Sequence, residues 1–110
     1  MPPPPKLPKP IADYFAAESK EDAAALARCF APDAVVKDEG QTFRGPAAIR
    51  KWNADARSKY HHRVEPLQAF EREGRTVVVA RLSGTFPGSP LEVEHVFRLE
   101  GSKIASMEIN

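Results

Sequence analysis

The hydrophobic pattern of this 110-residue chain switches to period two in its second half, and that switch limits the fold more than any other feature. From about His62 onward apolar and polar residues alternate with period two, the mark of half-buried β-strands. The alternation predicts four strands, over 62–71, 75–85, 90–100 and 103–110. Glu73-Gly74, Pro87-Gly88-Ser89 and Gly101-Ser102 separate them with turn chemistry. Pro66 has no N–H to give a ladder, so it marks an edge strand or a bulge.

Before His62 three helical stretches frame two short β-type runs. Pro10 suits a first helical turn, and Ile11, Tyr14, Phe15 and Glu18 follow on one face. A second helix is expected from the N-cap type residue Asp22, with Leu26, Cys29 and Phe30 on one face and Pro32-Asp33 as its end. Ala34-Val35-Val36 reads as a short strand closed by Asp38-Glu39-Gly40, and Thr42-Phe43-Arg44 as another stopped by Gly45. Pro46 then opens a third helix with Ile49, Trp52, Asn53, Ala56 and Tyr60 on one face, Asn53 being its polar intruder. Helices first and a run of antiparallel strands afterwards argue an α+β fold.

Strand 90–100 places Leu91, Val93, His95, Phe97 and Leu99 on one face and Glu92, Glu94, Val96, Arg98 and Glu100 on the other. Such alternation means one buried and one wetter side, with His95 the ionisable residue on the buried one. Val77-Val78-Val79-Ala80 is apolar on both faces. Helices can cover one face, so a second copy of the chain is the expected cover for the other, giving a homodimer. Each valine left bare forgoes roughly 1.5–3 kcal/mol of burial.

Six of the eleven prolines fall in residues 1–10, so 1–9 reads as an extended or disordered arm, either a plain solvated tail or a Pro-x-x-P ligand. Residues 10–110 form one domain. Outside the arm, 14 basic residues face 15 acidic ones with no basic run, which argues against nucleic acid as a partner. No apolar stretch approaches the ~18 residues of a membrane span. The N-terminus carries no apolar signal core, and a lone Cys29 fits a reducing compartment, so a cytoplasmic protein is expected. Cys29 beside Leu26 and Phe30 reads as a small buried residue. His61 and His62 are adjacent, point to opposite faces of a strand and have no third ligand at useful spacing, so no metal site is expected. No G-x-S-x-G, P-loop or dinucleotide glycine motif occurs, and no cofactor is expected.

The stretch Ala31-Pro32-Asp33-Ala34-Val35-Val36-Lys37-Asp38, followed by Phe43-Arg44-Gly45-Pro46-Ala47-Ala48-Ile49, resembles the helix–strand–turn–helix signature of the nuclear transport factor 2-like superfamily. Phe97 to Met107 resembles its final hairpin. The likeness covers roughly residues 10–110 and is greatest to the SnoaL-like branch, with ketosteroid isomerase as a relative. It implies a cone-shaped, cystatin-like fold, three helices packed on a curved antiparallel or mixed sheet, and a pocket between the layers. Asp38 falls where those enzymes keep a general-base aspartate, and Tyr14 where the isomerases keep an oxyanion-hole tyrosine. Their second donor is a protonated aspartic acid on the penultimate strand. This chain has His95 there, a departure that points away from steroid isomerisation, since histidine can donate, accept or carry charge.

The residue types leave alternatives open. Asp38 is a pocket base or a turn residue, Tyr14 a pocket hydroxyl or core, and His95 a cavity group or a hydrogen-bonded core histidine. Trp52 reads as core or pocket wall, and Asn53 as a pocket contact or a helix-edge residue. With Phe15, Val93 and Phe97, these two are the expected ligand-binding wall for a small apolar molecule. Two functions follow. One is cofactor-free proton transfer on a small carbonyl compound, as in an isomerase, cyclase or dehydratase. The other is a non-catalytic module for ligand binding or dimerisation.

Overall fold

The structure, a computed structural model, describes residues 6–110; the proline-rich residues 1–5 of the expected arm lie outside the described residues. Lys6–Pro8 form no regular element, but Leu7 packs half-buried against the core. Helix α1 spans Lys9–Ser19, with Pro10 in its first turn, and α2 spans Ala23–Ala27, capped by Asp22 accepting from the Ala25 N–H at 2.9 Å. Strands β1 (Phe30–Asp38) and β2 (Gln41–Arg44) form a hairpin, and α3 covers Pro46–Tyr60. Strands β3 (Arg63–Arg72), β4 (Arg75–Ser83), β5 (Leu91–Glu100) and β6 (Lys103–Ile109) complete the chain.

The six strands form one sheet in the order β2-β1-β6-β5-β4-β3. All neighbours are antiparallel except β1 and β6, so the sheet is mixed, and three helices pack on it in an α+β arrangement. The four predicted strands match within two residues at each end. Pro66 lies in edge strand β3, at a register shift between Pro66 and Gln68, so both readings of that proline hold.

The second helix is shorter than expected. Phe30 opens β1 instead of closing the helix, and Pro32-Asp33 lies within the strand. The cause is tertiary. The Cys29 carbonyl accepts from the Ile104 N–H at 2.8 Å and Phe30 pairs with Ile104, so β6 draws this stretch into the sheet. A register shift between Phe30 and Val35 absorbs the proline's missing donor. Cys29 is buried as expected, its thiol pushed up by burial.

The outer sheet face is less bare than three consecutive valines suggest. Val78 points inward to the core, and Val77 is fully buried within the single chain, flanked by its cross-strand partners Phe70 and Val96. Arg72 lies over the Phe70 ring at 5.2 Å and pairs with Glu94 at 3.6 Å. Val79 and Val96 stay half-buried.

The inner face carries an aromatic cluster. Tyr14 meets Phe15, Phe30 and Phe97 edge to face, with ring centroids 5.0, 6.0 and 5.7 Å apart. His95 stacks on Phe97 at 6.2 Å. These contacts tie α1 to β5 and set the floor beneath the candidate site.

Candidate functional site

A cavity of about 520 Å³ opens between the helices and the inner sheet face. Its mouth is apolar: Tyr60 at the end of α3 meets Phe86 of the β4–β5 loop edge to face at 5.9 Å, beside Pro87 and the exposed Leu91. That loop is tied down where Thr85 donates to the Tyr60 carbonyl through its N–H at 2.8 Å and its hydroxyl at 2.9 Å. Gly84 is required there, since a Cβ would stand 2.6 Å from the same carbonyl oxygen. Ala56, Val64, Leu82, Val93 and Ile109 form the apolar wall.

Three polar groups interrupt that wall. The first is Asp38. The tight turn through Glu39 (φ 53°) and Gly40 (φ 75°), with Asp38 paired to Gln41, leaves the aspartate as the last residue of β1, at the cavity edge. Its Oδ2 accepts from Trp52 Nε1 at 3.0 Å. Burial pushes the carboxyl above its ordinary value, and the indole N–H offsets part of that rise.

The second group is Tyr14 with His95. Both line the cavity and are 1% and 2% exposed, with ring centroids 6.3 Å apart. Burial pushes the phenol well above its usual value, so it stays protonated. Burial also lowers His95 to about 4, so the ring is neutral at pH 7. His95 Nδ1 is buried without a partner. A neutral imidazole has one N–H and one lone pair, and an orphaned N–H is the rarer of the two, so the proton belongs on Nε2.

The third group centres on Glu18, which the sequence does not single out as a site residue. Glu18 is 5% exposed and lines the cavity, as do Asn53 and His62. Its Oε2 accepts from Asn53 Nδ2 at 2.8 Å; its Oε1 accepts from Arg57 Nη2 at 3.0 Å and meets His62 Nε2 at 2.7 Å. Burial alone would raise this carboxyl, but His62 and Arg57 outweigh it and hold Glu18 below the usual carboxylate range. Glu18 is therefore ionised, and His62 donates to it through Nε2.

Of the expected site residues, Asp38, Tyr14, His95, Trp52, Asn53 and Val93 come together at this cavity. Phe15 and Phe97 do not line it. Both are packed in the aromatic cluster, 6.0 Å apart, against Tyr14 and His95, which do line it. Trp52 combines the two roles open to it, wall and core, and adds a hydrogen bond to Asp38. Among the described residues no group of three or more His, Cys, Asp or Glu is placed to hold a metal ion, and no helix is long and apolar enough to cross a membrane.

The sequence model of the SnoaL-like domain family matches residues 11–107. Among solved structures, a candidate polyketide cyclase from Sinorhizobium meliloti is 39% identical, with a TM-score of 0.90 over 94% of this chain and 95% of its own. A Catenulispora acidiphila protein with a ketosteroid isomerase-like fold, solved with trimethylamine, is 23% identical, with a TM-score of 0.82 over 96% of this chain and 86% of its own. A nuclear transport factor 2-like protein of unknown function from Cytophaga hutchinsonii is 12% identical, with a TM-score of 0.77 over 100% of this chain and 93% of its own. No curated protein sequence matches the chain.

Proposed function

This chain belongs to the SnoaL-like domain family and has its nuclear transport factor 2-like, cystatin-like fold, and from that premise we propose that its cavity performs cofactor-free proton transfer on a small, largely apolar carbonyl compound. Asp38 takes a proton from the carbon next to the carbonyl. The C–H electron pair moves to form the enolate, and neutral Tyr14 and His95 donate hydrogen bonds to the developing oxyanion. Returning the proton to another carbon gives an isomer; ring closure through the enolate carbon gives a cyclase.

The observation that carries this reading is the half-buried Asp38 carboxylate at the edge of an apolar cavity, with burial raising its basicity. A positioned base contributes about 10²–10⁴-fold, and an oxyanion donor about 2.7–4 kcal/mol. Both donors here are neutral, the state in which a buried group helps an oxyanion without carrying a charge of its own. His95 in place of a carboxylic acid directs the reading toward cyclase or dehydratase chemistry and away from steroid isomerisation.

One observation favours the second reading, a non-catalytic binding module: Asp38 Oδ2 is already engaged by the Trp52 indole, as in a purely structural carboxylate. Deuterium exchange separates the two. Cyclic aryl ketones incubated in heavy water with the protein should exchange their α-hydrogens, and Asp38→Asn and Tyr14→Phe should each slow exchange at least about tenfold. Equal exchange rates in both variants would sink the base-and-donor mechanism, and no exchange above buffer would leave the binding module.

A further inference from the structure

The cavity holds a second candidate proton acceptor that the Asp38 mechanism does not use. His62 follows His61, which closes α3 in the left-handed conformation (φ 48°), and its side chain lines the cavity. There His62, its side chain 10% exposed, meets Glu18, whose side chain is 3% exposed. Glu18 is ionised and can only accept, so the 2.7 Å contact fixes the His62 proton on Nε2. In the neutral ring Nδ1 is then the lone-pair nitrogen, and that ring lines the cavity. Asn53 and Arg57 hold the same carboxylate from α3, so the base's orienting group is itself fixed.

A buried carboxylate that sets the tautomer of an imidazole and stabilises its cation is the arrangement that makes histidine a general base. From this geometry we infer that His62, oriented by Glu18, removes the proton from an acidic hydroxyl of the bound molecule, and that the ligand is a phenol or enol as well as a carbonyl compound. The ligand O–H bond breaks and the His62 Nδ1–H bond forms. The electron pair stays on the ligand oxygen, and the imidazolium remains paired with Glu18. The charged and titratable groups around it are Glu18 and Arg57 in the same cluster, with Tyr14, Asp38, Glu39, Tyr60 and His95 elsewhere on the cavity wall. The inference rests on reading the cavity as a proton-transfer site, but it assigns its own residue and is tested apart from Asp38.

The probe is 1-naphthol, whose absorbance separates naphthol from naphtholate, with its methyl ether as a control that has no proton to lose. Wild type should bind the naphthol as naphtholate at a pH where the free probe is neutral. His62→Gln keeps an N–H for Glu18 but offers no imidazole, so it should bind the same probe as neutral naphthol while holding the methyl ether within about twofold of wild type. Asp38→Asn should still ionise the probe. The inference is overturned if His62→Gln ionises the naphthol as fully as wild type, which would assign the effect to Tyr14 and His95. It is also overturned if wild type binds the probe only as neutral naphthol, or binds neither compound. Ionisation lost in Asp38→Asn but kept in His62→Gln overturns it and leaves the Asp38 reading standing. Ionisation lost only in His62→Gln, in a protein that does not exchange ketone hydrogens, sustains it and removes the Asp38 reading.

Discussion

Glu18→Gln removes one negative charge from a nearly enclosed site and changes almost no volume. Three side chains converge on the carboxylate, Asn53 on Oε2 and both Arg57 and His62 on Oε1. A glutamine keeps its oxygen toward Arg57 and His62 and turns its amide nitrogen toward Asn53 Nδ2, donor against donor. Asn53 relieves that conflict by rotating its own amide, because its Oδ1 has no partner. The hydrogen bonds largely survive, so the variant isolates the charge. Arg57, 13% exposed at its side chain and with Nε already unpartnered, then holds an uncompensated buried cation. Removing one member of a buried pair costs about 3–5 kcal/mol, and the surviving hydrogen bonds place this case near 3. Urea titration at pH 7 should show that loss as a lower midpoint at constant slope, with Tm lower by roughly 10–20 °C. Adding Arg57→Met should restore part of it, because the stranded charge goes too. The pH dependence has a definite sign. Glu18 is held below its unfolded value, so its contribution is complete above about pH 4.3 and disappears as pH falls through the lower folded value. The gap between wild type and variant should therefore close in acid. A loss under about 1 kcal/mol, or a double variant no more stable than Glu18→Gln alone, would refute the reasoning.

His95 predicts a second acid limb. Its folded value of about 4 lies below the ordinary 6.5, so the unfolded chain takes the proton first and stability falls as pH drops from 6.5 toward 4, by about 3 kcal/mol in all. His95→Phe should flatten that limb in urea titrations across the window, and an unchanged limb would show that His95 is not its source. Trp52→Phe removes the N–H that holds Asp38 down while burial still pushes it up, so the Asp38 carboxyl should titrate higher in carbon-detected NMR. A lower or unmoved titration would mean that the indole does not tune it.

Elements governed by their own segment were legible in the sequence. Pro46 and the spacing Ile49, Trp52, Asn53, Ala56, Tyr60 mark α3 at both ends, and the two-residue turns at Glu39-Gly40 and Glu73-Gly74 set strand ends because both residues adopt positive φ. The boundary between α2 and β1 was not legible. Leu26, Cys29 and Phe30 satisfy helical spacing, and what decides between helix and strand is a partner strand at the far end of the chain. The roles of Asp38 and Tyr14 come from a family likeness that carries spacing in three dimensions as spacing in sequence, whereas strand alternation alone puts His95 on the buried face.

The Glu18 cluster lay outside that likeness, yet half of it was marked by physics. Glu18 sits on the same face of α1 as the buried Ile11, Tyr14 and Phe15, and Asn53 interrupts the apolar face of α3. A polar side chain on a core-facing helix surface needs a partner, because burying it unpaired costs more than the whole helix face gains from one more apolar residue. Two such intruders on two helices are each other's simplest solution, and the structure joins them at 2.8 Å across 35 positions. His62 could not be reached that way. It stands at a helix–strand junction, where neither period applies, and it meets Glu18 at 2.7 Å directly after His61 closes α3 in the left-handed conformation. Buried polar intruders in a sequence of this kind therefore locate one side of a site, while the residues that complete it come from the junctions where periodicity ends.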